Sequence, residues 1–578
     1  MDEVKSGPPL PKVEFRSVPE MVAARAAIEP ARAAVRFRTP SGKWADLKWA
    51  DIDARRRKIA AGLQGLGVER GDAVAMLSPN SPEMLIVELA VQTLGAATAP
   101  IFPGYSAQVL RHCLTDSGAR VAFAGSAVQQ HQLAQVKGLE QIVVLDDQPL
   151  AGAISLKSLE NSNGSIDVPR AGSDDVAFLL YTSGTTGNPK GVELTHANAL
   201  SQQAAIAAMW DVTDKDVFLS YLPWHHCFGA LFERLMALWH RALLVLDDSR
   251  GRDLDRLYTN FFEVRPTIYF GVPRVYNGMI ARAQKDAKAR EALKGLRFAF
   301  SAAAPISEPA FRFFEEMGVP VLEGWGLTET SPCATITRRS DPKRAPGVVG
   351  HPLPGTSVKL EPIPEFAGRG EILVRGPQVM RGYHRRPEDT ARVIGKDGWL
   401  HSGDLGEWTG HGLKLSGRID GVFKLANGEK VSAGEVEARI LAATPLLEQA
   451  VVFGSAQPFV TALCWVAGAV AQKYLEDRGI EPPSTVPEVV QVPELRRAIV
   501  EALQAGNLLS PVHYERVRRI ALVAEAPSLE TGELTPTQKM VRAVSSRRHE
   551  PLIAAMREEA AHPSVLDIVR RGDAFQNA

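Results

Sequence analysis

The sequence predicts an α/β protein, with a large N-terminal domain of layered, mainly parallel sheets and a smaller α+β domain behind it. Three observations carry this reading. From about residue 70 to residue 410, short β-rich apolar runs alternate with amphipathic helical stretches, the rhythm of β/α winding. After Ser416-Gly417-Arg418-Ile419-Asp420-Gly421 that rhythm gives way to short strands and a single helical run. The chain has 578 residues, 45% of them hydrophobic and 23% charged. That is too long for one small binding module and ample for several packed units.

In chain order, Val74 to Ser78 reads as a strand, and Ser81-Pro82-Glu83 starts a helix that runs to Leu94-Gly95, with a capping hydroxyl followed by proline in the first turn. Ala97 to Phe102 is a strand, Ser106 opens a helix, and Arg120 to Gly125 and Gln141 to Asp147 are further strands. The same pattern returns in Phe218 to Pro223, Leu243 to Asp248, Thr267 to Pro273, Phe298 to Ala302, a helix start at Ser307-Glu308-Pro309, and Val319 to Gly324. Runs this apolar suit parallel strands covered on both faces. The long uncharged stretch from Ala450 to Gln472 holds Gly454, Ser455, Gln457 and Pro458, which reads as strand, turn, strand and not as a membrane-spanning helix. A helix from Glu435 to Ala443 and a Pro-rich insertion around residues 481–493 complete the second domain. The expected division is 1–419 and 420–578, with Asp420 at the hinge.

Composition excludes several classes. Lys+Arg and Asp+Glu both count 66, so the net charge is zero and no broad basic field exists to neutralise nucleic acid. Cys113, Cys227, Cys333 and Cys464 are too scattered for a zinc clamp or a disulfide framework, which points to a reducing, cytoplasmic setting. The opening residues carry prolines and charges where a secretory signal needs an apolar run. Oligomeric state and peripheral contact with a membrane are left open.

Tyr181 to Gly191 carries the most chemistry. Thr182, Ser183, Gly184, Thr185, Thr186, Gly187 and Lys190 give a loop whose backbone N–H groups, hydroxyls and cation can converge on phosphate. It differs from the Gly-x-x-x-x-Gly-Lys-Ser/Thr loop, because Lys190 lies between Pro189 and Gly191, so capture by a helix dipole does not follow. Downstream come Gly324-Trp325-Gly326-Leu327-Thr328-Glu329-Thr330, Gly370-Glu371 through Arg375-Gly376 to Gly382-Tyr383, Ser402 to Gly406, Gly417 to Asp420, and Leu534 to Lys539. Trp325 offers a broad π face, Thr328 a hydroxyl, and Glu329 a hard oxygen ligand suited to Mg²⁺.

These motifs, in this order over roughly residues 40 to 545, resemble those of the adenylate-forming superfamily, which includes acyl-CoA synthetases, peptide-synthetase adenylation domains and luciferases. The resemblance implies an enzyme that uses ATP, Mg²⁺ and coenzyme A. It implies that Trp325 stacks on adenine, that Asp404 takes the ribose hydroxyls with Arg418 nearby, and that Thr185 joins Glu329 at the metal. It also implies that Lys539, on a mobile domain, reaches the reacting carboxylate and α-phosphate, where a cation between two anions stabilises the transition state. A lone lysine is ordinarily a solvated surface group; here only motif and position speak for it.

His226, in Leu222-Pro-Trp-His-His-Cys-Phe-Gly229, falls where the superfamily places a histidine or similar group beside the acyl site, with His225 as competing candidate. Amino-acid-activating relatives place an aspartate in this segment to pair with the substrate ammonium, and from Tyr221 to Leu231 there is no acid. The expected acyl pocket is apolar, with Cys227, Phe228, Phe270, Gly271, Ala302 and Ala303. Gly271-Val-Pro-Arg-Val-Tyr276 and the segment from Phe423 to Glu437 look most like long-chain fatty acyl-CoA synthetases. An acyl-adenylate ligase loading a carrier protein and an aryl, cinnamate-type acid–CoA ligase are the alternatives.

Overall fold

In the computed structural model, the described residues are 3–146, 148–161, 164–182, 188–251, 253–301, 306–363, 368–510, 512–528, 530–535, 540–558 and 562–569. Two compact units emerge. The larger comprises residues 1–361, 372–402 and 408–414; the smaller comprises 362–371, 403–407 and 415–578. Against the single cut expected at residue 420, the smaller unit's long segment starts at 415, and the short stretches 362–371 and 403–407 also pack with it.

The larger unit holds two big sheets with parallel centres. One has the order Gly382–Tyr383, Lys190–Thr195, Val176–Thr182, Ala97–Pro100, Ala73–Leu77, Val121–Ala124, Gln141–Val144, Ala153–Ser155, parallel from Val176–Thr182 onward. The other runs His351–Pro352, Thr335–Ile336, Val321–Trp325, Phe298–Ser301, Ile268–Gly271, Val217–Ser220, Leu243–Leu246, Ala33–Arg38, Trp44–Lys48, with antiparallel pairs only at its ends. The helices between strands begin where the sequence signals them. Ser81 Oγ accepts from Met84 N at 3.1 Å at the head of Pro82–Thr93, and Ser106 Oγ accepts from Val109 N at 3.4 Å at the head of Ala107–Ser117. Each such cap is worth about 1 kcal/mol.

The smaller unit packs a four-stranded mixed sheet, Leu447–Phe453, Val460–Val466, Val517–Val523, Val565–Asp567, against helices Ala433–Ala443 and Pro493–Leu508. The uncharged stretch is an antiparallel hairpin followed by helix Gly468–Glu476, and no described helix is long and apolar enough to cross a membrane.

One element has no signal in the sequence. Residues Phe228–Arg234 form a π-helical turn, wholly buried, that continues into helix Leu235–His240. Gly229 makes it fit, since an added Cβ would lie 2.6 Å from the Pro223 carbonyl oxygen. The turn is pinned from inside. Arg234 pairs with the buried Glu88 and lies 4.7 Å over the Trp224 ring, and Glu233 accepts from Ser220 Oγ. A buried pair of this kind positions more than it stabilises.

Candidate functional site

The motif from Tyr181 to Gly191 connects two antiparallel strands. Thr182 at the end of Val176–Thr182 is the register partner of Lys190 at the start of Lys190–Thr195. Ser183, Gly184, Thr185, Thr186 and Gly187 lie outside the described residues. The segment that follows, Lys190–Thr195, is a strand and not a helix. The ammonium of Lys190, expected to point at phosphate, is engaged elsewhere. It lies 3.2 Å from Asp389 Oδ2 and 5.0 Å from the centre of the Tyr383 ring, and Asp389 also binds Arg392 at 2.9 Å.

That contact leads to Glu329. Tyr383 Oη donates to Glu329 Oε1 at 2.7 Å, and Met380 N donates to the Glu329 carbonyl at 2.8 Å. Tyr383 is held by its own strand, where it pairs with Val192 across from the loop, and by Thr390 Oγ1, which accepts from its N–H at 2.9 Å. Glu329 is half-buried, and its second oxygen has no hydrogen bond among the described residues. A carboxylate oriented through one oxygen and open at the other fits Mg²⁺, which is usually held by one or two carboxylates plus substrate phosphates. Thr185, the other expected ligand, is outside the described residues.

The turn carrying Thr328 and Glu329 is tight. Gly326 admits no side chain, because a Cβ there would lie 2.0 Å from the Pro332 carbonyl oxygen. Thr330 Oγ1 accepts from Leu327 N at 2.8 Å. Trp325, closing strand Val321–Trp325, is buried, and Gly324 beside it abuts the Phe300 ring, with an added Cβ 3.1 Å from Cζ. Just upstream, the buried carboxyl of Glu323 accepts from Gly347 N at 3.0 Å and Ile306 N at 3.4 Å. Burial outweighs those two donors and pushes it up to about 8.

Thr328 is joined to the expected acyl side. Its Oγ1 lies 3.3 Å from Cys227 Sγ, the residue that precedes the π-helical turn. Of the two histidines, His226 caps that turn, its Nδ1 accepting from Phe228 N at 3.2 Å. The His225 ring lies 4.6 Å from that of Phe102, tilted at 43°, its Nε2 buried without a partner among the described residues. Burial, with His226 adding to it, lowers His225 to about 3, so it is neutral at any ordinary pH.

Phe228 and Phe270 stack with centroids 5.9 Å apart at 14°. Gly271 does not join them. Successive residues of a strand face opposite ways, and an added Cβ on Gly271 would lie 2.8 Å from Tyr276 Cζ on the other face of the sheet. The expectation that Phe270 and Gly271 line one pocket through their side-chain positions is therefore corrected by the pleat. Ala302 and Ala303 lie outside the described residues.

In the smaller unit, Arg418 Nη1 lies 3.0 Å from Asp404 Oδ1, with the arginine half exposed. An exposed pair of this kind contributes about 0–1 kcal/mol and is readily exchanged for a ligand. Gly403 beside it has φ +69° and donates its N–H to Glu371 Oε1 at 3.0 Å. Asp420 lies in a 3₁₀ turn, Ile419–Gly421, and its side chain is not described. Lys539 is likewise outside the described residues. Its neighbours close a small loop, with Leu534 bridged to Met540 and Val541 N donating to the Glu533 carbonyl at 2.8 Å. The buried Glu533 carboxylate anchors that loop through His549 Nε2 at 2.8 Å.

Sequence reasoning missed Tyr383, Asp389 and Glu533 as supports of the candidate groups. Tyr383 stands within a quoted motif, but its partner Glu329 is 54 residues away, a separation that no local pattern shows.

Comparison with known proteins agrees in both parts. Residues 22–384 match the family model described as AMP-binding enzyme, and residues 420–561 match that described as AMP-binding enzyme C-terminal domain. The long-chain-fatty-acid–CoA ligase FadD15 of Mycobacterium bovis is 30% identical, over 89% of this chain and 93% of the relative. The peroxisomal long chain acyl-CoA synthetase 7 of Arabidopsis thaliana is 28% identical, over 90% of this chain and 83% of the relative. Among solved structures, the anthranilate CoA ligase AuaEII with anthranoyl-AMP superposes with TM-score 0.78 at 22% identity, covering 94% of this chain and 99% of that one. The O-succinylbenzoate coenzyme A synthetase of Bacillus subtilis with AMP gives 0.72 at 21% identity, over 90% and 97%. At these identities the two structures establish the fold.

Proposed function

The chain belongs to the AMP-binding enzyme family, and on that premise we propose that it is an ATP-dependent acid–thiol ligase acting on a long-chain fatty acid. The observation that carries this is the junction at Thr328. One side of it is the oriented carboxylate of Glu329, and the other, across 3.3 Å, is Cys227 at the head of the buried π-helical turn, whose first five residues are all apolar. A phosphate-side group and a hydrocarbon-side group meet at one hydroxyl, as activation of a fatty carboxylate requires. Relatives named as long-chain-fatty-acid–CoA ligases align over most of the chain, which supports the acyl class.

In this reading the acid's carboxylate oxygen attacks the α-phosphorus of ATP and pyrophosphate leaves, giving acyl-adenylate. The thiolate of coenzyme A then attacks the acyl carbon and AMP leaves. Thr182 and the loop that follows it approach the phosphates, Trp325 the adenine, and Asp404 with Arg418 the ribose; Lys190 reaches the phosphates only on leaving Asp389. Glu329 would hold Mg²⁺, which neutralises phosphate charge. Tyr383, through its 2.7 Å hydrogen bond, keeps that carboxylate aimed. His226, Cys227 and Phe228 border the acyl group. Lys539 places its cation between carboxylate and α-phosphate during the first step, and a backbone change at Asp420 re-presents the smaller unit for the second. The four cysteines are buried and none is in a disulfide, which supports action in the reducing cytoplasm.

The test is pyrophosphate release with ATP, Mg²⁺ and straight-chain acids of graded length, with cinnamate and amino acids alongside. Release with fatty acids, completed to thioester by free coenzyme A, is the expected result. Release only with an aryl or amino acid, or thioester only on a carrier protein, would overturn the assignment.

A further inference from the structure

Helix Ala107–Ser117 carries two polar side chains that the ligase reading does not use. Its Leu110, Cys113 and Leu114 are buried in one core cluster with Leu179 and Tyr181 of strand Val176–Thr182, which fixes the helix against the sheet. His112 and Asp116 are four residues apart, so they share a helix face about one turn from each other. His112 Nε2 lies 2.9 Å from the Pro189 carbonyl oxygen, and Asp116 Oδ2 accepts from Tyr181 Oη at 3.1 Å. A carbonyl only accepts, so Nε2 carries the proton and donates.

These two contacts fall on the two ends of the phosphate-binding motif. Tyr181 precedes Thr182 on the entering strand, Pro189 precedes Lys190 on the leaving one, and Thr182 and Lys190 are register partners. Among the described residues the ladder between these strands ends at that pair, so beyond it a third element has to hold the chain. Asp116 is itself braced, its Oδ1 accepting from Arg386 Nη2 at 3.1 Å and its carbonyl from Arg385 Nη1 at 3.3 Å. Arg386 lies three residues after Tyr383, which aims Glu329. One helix thus ties both ends of the motif to the segment that orients the candidate metal carboxylate.

Resting on the nucleotide-binding part of the ligase reading, we propose that His112 and Asp116 are positioning residues for ATP. They act through Pro189 and Tyr181, holding both ends of the phosphate-binding motif in place before the nucleotide arrives. A motif that its ligand has to order binds that ligand more weakly, because ordering is subtracted from the binding energy. Removing either hold therefore weakens ATP and leaves the acid and the thiol untouched.

Calorimetric titration of Mg-ATP into the full chain gives Kd for wild type, His112→Phe, His112→Gln, Asp116→Ala, Tyr181→Phe and Gln108→Ala, with thermal melts checking the fold. Kd should rise about three- to tenfold in His112→Phe and in Tyr181→Phe, the scale of one lost hydrogen bond. It should rise further in Asp116→Ala, which also releases Arg386. His112→Gln, whose amide reaches as far as Nε2 and can donate, should stay within about twofold of wild type, as should Gln108→Ala, exposed on the same helix. In turnover with a fatty acid, KM for ATP should rise in step, while KM for the acid and thioester formation from pre-made acyl-adenylate stay within about twofold. A general loss of packing would move all of these together. Unchanged ATP affinity in His112→Phe and Asp116→Ala, or equal weakening in His112→Gln and His112→Phe, overturns the proposal and leaves the ligase reading intact. Failure of the wild type to activate any fatty acid overturns the ligase reading, and the ATP titrations then still decide the role of His112 and Asp116.

Discussion

Gly271→Ala is a substitution whose meaning changes once the fold is known. From sequence, Gly271 bounds an acyl tunnel, and a side chain there should exclude long acids while sparing short ones. In the structure its missing Cβ faces Tyr276, which would meet the new methyl at 2.8 Å from Cζ, 3.0 Å from Cε2 and 3.1 Å from Oη. The ring cannot simply turn away. It is fully buried, and its hydroxyl donates to Tyr269 O at 3.0 Å and Phe300 O at 2.8 Å, tying two neighbouring strands. Overpacking costs about 1–3 kcal/mol, and loosening a buried hydroxyl from its carbonyls costs about 1–3 more. We expect Gly271→Ala to destabilise the larger unit by about 2–6 kcal/mol. Activity should fall for all acid lengths together. Guanidinium unfolding followed by tryptophan fluorescence gives the stability, and a double-mutant cycle gives the cause. In a Tyr276→Ala background the same substitution should cost under about 1 kcal/mol. Costs that add in the two backgrounds, or a stable Gly271→Ala enzyme that loses only long acids, would refute the reasoning.

Glu329→Gln should depress adenylation by several kcal/mol of lost charge neutralisation, roughly 10²-fold or more, whereas Tyr383→Phe should mainly raise the Mg²⁺ concentration needed for half-maximal rate; identical Mg²⁺ titrations in wild type and Tyr383→Phe would remove the orienting role. Glu323, buried and raised to about 8, holds its proton in the folded state from its unfolded value of 4.5 up to that pH, so stability should be greatest at or below pH 4.5 on this group's account and fall by at most about 1.4 kcal/mol per pH unit up to pH 8. Glu323→Gln should flatten that slope in chemical-denaturation series, and an unchanged slope would reassign it. Lys539→Ala should abolish acyl-adenylate formation yet leave thioester formation from pre-made acyl-adenylate largely intact; equal slowing of both half-reactions would make the lysine a general binding group.

Alternation of strand and helix from Val74 onward was readable because capping serines, first-turn prolines and apolar runs are local signals, and helices Pro82–Thr93 and Ala107–Ser117 begin where those signals stand. The order of the strands was not. Ala33–Arg38 lies beside Leu243–Leu246, a pairing between distant parts of the chain that no periodicity announces. The π-helical turn escaped for a similar reason, since it is held by Glu88, Ser220 and Trp224, residues outside the turn. Motif residues such as Thr328 and Glu329 could be named from sequence because their residue types carry the chemistry. Their supports could not. Lys190 looked like a phosphate cation in isolation, and only the fold shows Asp389 and Tyr383 holding it. Phe270 and Gly271 looked like neighbours in one pocket, and the pleat of a single strand puts them on opposite faces.

The central claim, that the acid's own carboxylate attacks the α-phosphorus before the thiol arrives, is tested most directly by the fate of oxygen. A fatty acid labelled with ¹⁸O in both carboxylate positions is turned over with ATP, Mg²⁺ and coenzyme A, and the products are weighed by mass spectrometry. Through an acyl-adenylate, the attacking oxygen stays with phosphorus when the thiolate displaces AMP. The account predicts one ¹⁸O in each AMP, one in each thioester carbonyl, and none in pyrophosphate. Unlabelled AMP, or label in the pyrophosphate, would contradict it.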